Sequence, residues 1–213
     1  MRGFRVLAFF LGLTVLGLSL PVPAGAAVLG DPQISFSADR LLEYGGKTMS
    51  GKLFSRPGAQ RHEQDIGGIK QIVLLQGEHS RGWLLLPGLG SFIEFNFAPA
   101  MAELGDPDLL GTPLGRERVN GIATTKYRIE HTARDGTEIE GYLWLSHDGI
   151  PVKLNGSYLQ PNRKDAEKLR MELTNIKPGP QAAALFELPP GMGKLSLEGL
   201  KPLLGVGGHG LER

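Results

Sequence analysis

Residues 114–146, LGRERVNGIATTKYRIEHTARDGTEIEGYLWLS, decide the fold class of this chain. Within this stretch Tyr127 and Ile129 alternate with Lys126, Arg128 and Glu130, and Tyr142–Leu145 is apolar on both faces, as expected of a central strand. Alternation with a period of two is typical of half-buried antiparallel strands with one face in water. Asn120-Gly121 and Asp135-Gly136 interrupt the pattern with dipeptides that favour two-residue β-hairpins. The stretch is therefore predicted to form a three-stranded meander.

The same organisation extends through the rest of the chain. Leu169, Met171 and Leu173 alternate with polar residues, and 31 glycines and 15 prolines punctuate the 213 residues at short spacing. Strand-like runs follow one another without β–α–β alternation, which predicts a mainly β, antiparallel domain of about 10 or 11 strands. A sheet of that size must curl over its own core. Helical segments are predicted only at Ala98–Leu104, Asp106–Leu110 and Gln181–Phe186.

The first residues have the pattern of a cleaved secretory signal. Arg2 and Arg5 precede the apolar run Val6–Leu20, and small residues then predict cleavage between Ala26 and Ala27. An uncleaved membrane anchor is the alternative, but the run is short for a bilayer span. Export to the periplasm is therefore expected. The predicted organisation is a signal peptide at 1–26, a single β domain at 27–192 and a glycine-rich, flexible tail at 193–213.

Composition excludes several classes of function. The chain has no cysteine, so disulfides, thiolate zinc sites, cysteine nucleophiles and a lipid-modified N-terminal cysteine are excluded. Without Arg2 and Arg5, 21 basic residues face 22 acidic ones, a net charge of −1. Because no basic run is present, nucleic-acid binding is not expected. The mature chain has no second long apolar segment, so no membrane span is predicted there.

Motifs for catalysis or for metal and cofactor binding are weak. Gly205–Gly210 spells the dinucleotide fingerprint, but it lacks the strand and helix that such a site requires. The histidines fit no metal-ligand spacing, so neither a metal nor a cofactor is predicted. We expect a protein without enzymatic activity, and an enzyme acting on envelope glycan or lipid is the weaker alternative. The histidines are His62, His79, His131, His147 and His209.

Three blocks of sequence resemble a family of exported bacterial envelope proteins with the LolA/LolB-like lipoprotein-carrier fold. The blocks are VNGIATTKYRI at 119–129, GYLWLSHDGIPVKL at 141–154 and NIKPGPQAAALFELPPGM at 175–192. They are signatures of a fold, and they carry no catalytic motif. The chain departs from the family pattern at Met192, where tyrosine is common, although methionine fills a similar apolar space. The absence of cysteine distinguishes it from an anchored receptor such as LolB.

The resemblance implies a half-open antiparallel β-barrel with a few short helices in its concave side. In that fold the concavity accommodates lipoprotein acyl chains, which implies a hydrophobic ligand here. The alternative is a structural or interaction module with a self-filled core and an envelope protein as its partner. Each large apolar residue on a strand could equally be ordinary core. The candidate ligand-binding residues are Phe36, Leu53, Trp83, Phe92, Phe95, Tyr127, Trp144 and Leu154.

Overall fold

The computed structural model describes residues 32–44, 46–98 and 111–195. The predicted signal peptide and its cleavage site between Ala26 and Ala27 lie outside these residues, as does the predicted tail beyond Leu195. The described residues form twelve β-strands. The strands are β1 (Phe36–Tyr44), β2 (Lys47–Arg56), β3 (Ala59–Ile66), β4 (Ile69–Gln76), β5 (Arg81–Leu86), β6 (Ser91–Asn96), β7 (Pro113–Val119), β8 (Ile122–Thr132), β9 (Glu138–Ser146), β10 (Pro151–Leu159), β11 (Glu167–Pro178) and β12 (Gly193–Lys194).

All twelve strands belong to one sheet, in the order β12-β6-β5-β4-β3-β2-β1-β11-β10-β9-β8-β7. Neighbouring strands pair antiparallel, except that β12 runs parallel to β6. The sheet does not close on itself, so the predicted mainly β, half-open antiparallel architecture is confirmed. The strand that exceeds the predicted number is β12, and its two residues are too few to show a period-two pattern in the sequence. They are the first residues of the tail predicted to be flexible at 193–213, and they instead pair with β6.

Helical structure is scarce in the described residues. Three short 3-10 helices are present, at Gly77–His79, Pro87–Leu89 and Ala183–Phe186, and the last falls within the turn predicted at Gln181–Phe186. Apart from Ala98, the helices predicted at 98–104 and 106–110 lie outside the described residues. Within the described part of the chain, no helix has the length and apolar character needed to cross a membrane.

The meander predicted at 114–146 forms as β7, β8 and β9. At its first turn Asn120 and Gly121 both have positive φ, 50° and 82°, as the predicted two-residue hairpin requires. The prediction for Asp135-Gly136 is wrong, because the connection there runs over 133–137. Only Gly136 has a positive φ, and its N–H donates to the carbonyl of residue 133 at 2.7 Å. This is a type I turn followed by a left-handed glycine, which gives a longer loop.

The main core lies on one side of the curled sheet. Val73 and Leu75 of β4 belong to the same buried cluster as Leu143 of β9, Leu154 of β10 and Leu169 of β11. In the sheet order, β4 and β11 are separated by β3, β2 and β1. Strands so far apart can share one cluster because the sheet curls around it. We call this side the concave face, and each large side chain buried there contributes roughly 1.5–3 kcal/mol.

The opposite, convex face is covered over β4–β6 by the segment 179–195, which we call the C-terminal segment. Its Leu188 and Met192 pack against a cluster of alternating residues on β4, β5 and β6. Phe186 is fully buried, with the guanidinium carbon of Arg56 4.8 Å from its ring centroid. The guanidinium of Arg61 donates from Nη1 to the carbonyl of residue 185 at 3.1 Å. The chain therefore returns across the sheet and shields apolar side chains on the second face.

Candidate ligand-binding site

The eight side chains proposed from the sequence as a ligand cavity are divided between the two faces of the sheet. Alternation along each strand sends successive side chains to opposite faces. Those on the concave face belong to or pack against its two buried clusters, and they are Phe36, Leu53, Phe95, Tyr127 and Leu154. Those on the convex face are Trp83, Phe92 and Trp144. The eight residues therefore do not line one common surface.

Trp83 and Phe92 are buried beneath the C-terminal segment. They share a cluster with Ile72, Leu74 and Leu85, and Leu188 and Met192 pack against that cluster. Their exposed fractions are 8% each, because the returning chain covers them. The sequence shows that these residues are apolar. It does not show on which face of the sheet they lie, or that another segment of the chain covers that face.

Trp144 has a different environment on the convex face. Its indole Nε1–H donates to a carboxylate oxygen of Glu117 on β7. The ammonium groups of Lys126 and Lys153 lie 4.8 and 5.1 Å from its ring centroid, and Tyr142 is tilted against it at 6.3 Å. Trp144 is therefore buried by polar and aromatic neighbours on the outside of the sheet.

A group of polar side chains is buried on the concave face of β1–β3. Register places Arg40 opposite Gly51, and Gly51 opposite Gln64. The buried polar residues of these three strands are Arg40, Ser55, Gln60, His62 and Gln64, and each is at most 5% exposed. We call these five residues the Arg40 cluster. Buried polar groups cost free energy unless they are hydrogen-bonded, so this cluster requires an explanation.

Hydrogen bonds connect four members of the Arg40 cluster. Arg40 Nη2 donates to Gln64 Oε1 at 2.6 Å, and Arg40 Nη1 lies 2.7 Å from His62 Nδ1. A guanidinium can only donate, so His62 Nδ1 must accept and the ring proton must be on Nε2. His62 Nε2 then donates to Gln60 Oε1 at 2.9 Å. The chain of donors therefore runs from Arg40 through a neutral histidine to an amide oxygen.

The charge of Arg40 is not compensated by a carboxylate in the described part of the chain. Burial lowers the pKa of Arg40 to about 10, so the guanidinium remains cationic at neutral pH. Burial, and secondarily the charge of Arg40, hold the pKa of His62 well below its usual range. Among the described residues, Arg40 Nε and Ser55 Oγ have no hydrogen-bond partner. The site thus holds a buried cation with an unused donor.

Signals of the Arg40 cluster in the sequence are weak. On β3, Gln60, His62 and Gln64 alternate with charged residues, a pattern that is typical of a solvated strand. The better signal is Gly51, where a Cβ would lie 1.8 Å from the carbonyl oxygen of Glu63. Glycine lets β2 and β3 approach closely at the level of Arg40, which brings the acceptors of β3 within reach of the guanidinium.

A second concavity lies at the far end of β8–β10. This cleft has a volume of about 390 Å³ and is lined by Glu130, Glu138, Glu140, His131 and neighbouring residues. Despite these carboxylates, the described ranges contain no group of three or more acidic or histidine side chains that could hold a metal ion. The cleft is open to solvent and has a mixed polar and apolar lining, which includes Ile139 of the concave cluster.

Comparison with known proteins shows a likeness of fold. No protein-family model matches the chain, and no curated protein matches it in sequence. An uncharacterized conserved protein from Thermus thermophilus has a similar structure, with a TM-score of 0.51 and 12% identity over 76% of this chain and 90% of that chain. The likeness shows that the two proteins share the open, curled antiparallel sheet. The half-open antiparallel sheet implied by the sequence blocks is confirmed. The short helix Ala183–Phe186 lies on the convex face, against Arg56 and Arg61, and not in the concave side as the resemblance implied. Membership of the family stays a prediction.

Two further solved structures have lower similarity. MucB, solved in complex with MucA(peri), has a TM-score of 0.47 and 19% identity over 78% of this chain. The match covers 58% of MucB, so this chain spans little more than half of that protein. A putative outer membrane lipoprotein-sorting protein domain from Vibrio parahaemolyticus has a TM-score of 0.32 and 11% identity over 72% of this chain and 89% of that domain.

Proposed function

We propose that this chain is an exported, periplasmic binding protein that holds a hydrophobic ligand, a lipid or a lipoprotein acyl chain, on its concave face. The observation that carries the proposal is Arg40, a buried cation with neutral partners and an unpaired Nε–H. The resemblance of the sequence to the LolA/LolB-like family supports the ligand class. It also supports the second part of the proposal, that the protein takes part in outer-membrane lipid or lipoprotein transport.

The guanidinium of Arg40 is removed from water in the folded protein. Burying a cation costs several kcal/mol unless opposite charge or good acceptors compensate it. His62 and Gln64 supply two neutral acceptors, which recover part of that free energy. A carboxylate, phosphate or carbonyl oxygen of a ligand would supply more, because hydrogen bonds from a charged donor are about twice as strong as neutral ones. Arg40 is therefore suited to the polar head of an amphiphile.

Apolar side chains surround the Arg40 cluster and provide a surface for an acyl chain. Register places Leu173 of β11 opposite Arg40, and places Leu53 and Val73 on either side of His62. All three are at most 5% exposed. Binding sites of this kind are mostly apolar with a few polar groups that fix orientation. The arrangement supports a ligand whose chain packs on leucine and valine while its head meets the guanidinium.

The test is a titration of delipidated, refolded protein with two fluorescent acyl probes, one ending in a carboxylate and one in an alcohol. We expect micromolar binding of the acid. Arg40→Gln should weaken binding of the acid by about tenfold, equivalent to about 1.4 kcal/mol. Binding of the alcohol should change much less, since it gains little from a cation.

The matched control is Arg170→Gln, which removes an exposed arginine on β11 whose Nε donates to Asn155 at 3.1 Å. Binding of both probes should be unchanged in this variant. Circular dichroism and the unfolding midpoint must show that Arg40→Gln is folded. If folded wild-type protein binds neither probe, or if Arg40→Gln and Arg170→Gln behave alike, the proposal is wrong.

A second candidate, a structural or interaction module without a ligand, is favoured by one specific observation. The concave cluster already joins β4 to β9, β10 and β11 through side chains such as Val73, Leu143 and Leu169, so the chain fills much of its own concavity. Mass spectrometry of lipids that copurify from the native periplasm separates the candidates. A stoichiometric lipid supports the first, and its absence together with crosslinking to an envelope protein supports the second.

A further inference from the structure

The strand β7 forms an open edge of the sheet. It covers Pro113–Val119, and six of its seven residues are exposed. On one side β7 pairs with β8, and no strand of the described part of the chain pairs with its other side. Among the described residues, the backbone of 113–119 makes no backbone–backbone hydrogen bond outside the ladder with β8. A row of N–H and C=O groups is therefore presented to solvent, and such a row is a template for another strand.

A side-chain contact to the backbone of β7 also comes from the β8 side. Thr124 of β8 donates its hydroxyl to the carbonyl of Glu117 at 2.8 Å. Glu117 is opposite Thr124 in the ladder, so this bond reinforces the pairing of β7 with β8. It does not cover the outer edge of β7.

The opposite edge of the sheet, at β6, is partly covered by another strand. There the C-terminal segment adds β12 in parallel beside β6, with Gly193 N donating to the carbonyl of Gly90 at 2.9 Å. Lys194 also forms an ion pair with Glu94. The chain thus occupies one edge with its own residues over a short length, and within 32–44, 46–98 and 111–195 no strand covers the other edge.

Charge on β7 selects against a second copy of the chain as the missing strand. Arg116 and Arg118 share one face of the strand, opposite Thr125 and Ala123 of β8. A continuous antiparallel sheet between two copies requires residues of the same face to pair. Centring such a pairing on Arg116, Glu117 or Arg118 places an arginine opposite an arginine. Like charges directly opposite are destabilising, so self-pairing is disfavoured in these registers.

We propose that the β7 edge binds an extended segment of another protein that carries acidic residues at alternate positions. Its backbone would pair with 113–119, and its acidic side chains would face Arg116 and Arg118. Arg116 has no ion-pair partner among the described residues, and Arg118 donates from Nη1 to the carbonyl of Gly121 at 3.0 Å, which leaves its charge without a carboxylate. Main-chain hydrogen bonds supply affinity in this mode of recognition, and alternate side chains supply specificity.

The third charged residue of β7 is held away from this pair. Glu117 projects to the other face, where its carboxylate accepts the indole N–H of Trp144. The acidic side chain of β7 is therefore committed on the convex face, while the two arginines remain available on the other. Pro113 and the register irregularity beside it limit pairing at the start of the strand. Together these features favour pairing of the β7 edge with an acidic strand over unspecific pairing with any strand.

The test uses the full chain and two synthetic peptides, one alternating threonine with glutamate and one alternating threonine with lysine. We expect the glutamate peptide to bind and to slow hydrogen exchange of backbone amides within 113–119. Arg116→Glu/Arg118→Glu should weaken its binding by at least about tenfold and should bind the lysine peptide instead. The inversion of preference is a result that loss of folding cannot produce.

A matched control, Arg163→Glu/Lys164→Glu, makes the same change of net charge in an exposed loop away from β7. It should bind the glutamate peptide like wild type. Equal weakening by both charge reversals, or binding without protection of 113–119, would overturn the proposal. Sedimentation showing self-association through β7 would identify a second copy as the occupant and would also overturn it.

Discussion

Arg40 and Lys126 are both cations without a carboxylate partner among the described residues, and they lie on opposite faces of the same sheet. Arg40 is 5% exposed on the concave face and donates to His62 and Gln64. Lys126 is half-buried on the convex face, where its ammonium lies 4.5 Å from the ring centroid of Tyr142. Water can still solvate Lys126, whereas protein atoms must solvate Arg40.

The difference shows that the energetic consequence of a cation without a carboxylate partner depends on which face of the sheet it occupies. A lysine over an aromatic ring at a surface contributes about 0.5–1 kcal/mol and requires no further partner. A guanidinium removed from water has a desolvation cost of several kcal/mol, and neutral acceptors offset only part of it. Arg40 on the concave face is therefore costly for folding, and a function in binding would explain its presence. Substitutions on the two faces of the sheet test this contrast.

Replacing Gly51 by alanine should disrupt the concave face most severely. A Cβ there would lie 1.8 Å from the backbone carbonyl oxygen of Glu63, a contact that requires β2 and β3 to separate. Separation would remove the close approach that brings Gln64 and His62 to Arg40. We expect Gly51→Ala to lower the free energy of unfolding by about 3 kcal/mol or more, as severe overpacking does. Urea unfolding followed by tryptophan fluorescence measures the change.

Gly88→Ala is the matched glycine substitution for this experiment. No heavy atom lies within 4 Å of a Cβ at Gly88, and its φ is not in the left-handed region. An alanine there should be neutral or stabilising by about 0.4–1 kcal/mol, through the unfolded chain. Equal unfolding midpoints for the Gly51→Ala and Gly88→Ala variants would show that the close approach of β2 and β3 has no energetic importance.

Alanine substitutions of Arg40 and Lys126 compare the contributions of the two cations to the free energy of unfolding. Arg40→Ala leaves His62 Nδ1 and Gln64 Oε1 without their donor inside the protein, and each buried unsatisfied group costs about 1–3 kcal/mol. The substitution also removes the desolvation cost of the guanidinium but leaves a cavity, and we expect a net loss of about 2 kcal/mol in the free energy of unfolding. Lys126→Ala loses only the ring contacts and should cost less than about 1 kcal/mol. If denaturant unfolding gives the same loss for both, the distinction between the faces is not supported.

The sequence was sufficient for the meander but not for the site, for a physical reason. Along β8, Tyr127 and Ile129 alternate with Lys126, Arg128 and Glu130, so the direction of the core follows from the pattern. On β3, Gln60 and His62 alternate with Arg61 and Glu63, so both faces are polar and the pattern assigns neither to the interior. Only the curl of the whole sheet decides which side is buried. Long-range packing of this kind is not encoded in a local period.

The aromatic residues of the convex face also show that a local sequence pattern does not identify the residues that bury a side chain. Trp83 and Phe92 belong on strands, as predicted, but the face that buries them is covered by the C-terminal segment. Leu188 and Met192, which supply that cover, lie about a hundred positions further along the chain. An apolar residue on a strand therefore indicates burial, but the identity of its neighbours depends on contacts distant in sequence.

The smallest predicted effect is a dependence of stability on pH that originates at His62. Burial and the charge of Arg40 hold the pKa of His62 well below its usual range. Below about pH 6.5 the unfolded chain binds a proton that the folded protein excludes. The free energy of unfolding should consequently fall as the pH drops below about 6.5, by at most about 1.4 kcal/mol per pH unit from this group.

His62→Gln isolates that contribution, because a glutamine oxygen can still accept from Arg40 but does not titrate. The informative quantity is the change in unfolding free energy between about pH 7.5 and about pH 5, compared between the two proteins, since other groups contribute equally to both. We expect the decline to be smaller in His62→Gln. Identical declines would mean that His62 takes up a proton as readily in the folded protein as in the unfolded chain, which would place two cations side by side at about pH 5. A bound anion or a more open concave face would then be required, and the contrast with Lys126 would disappear.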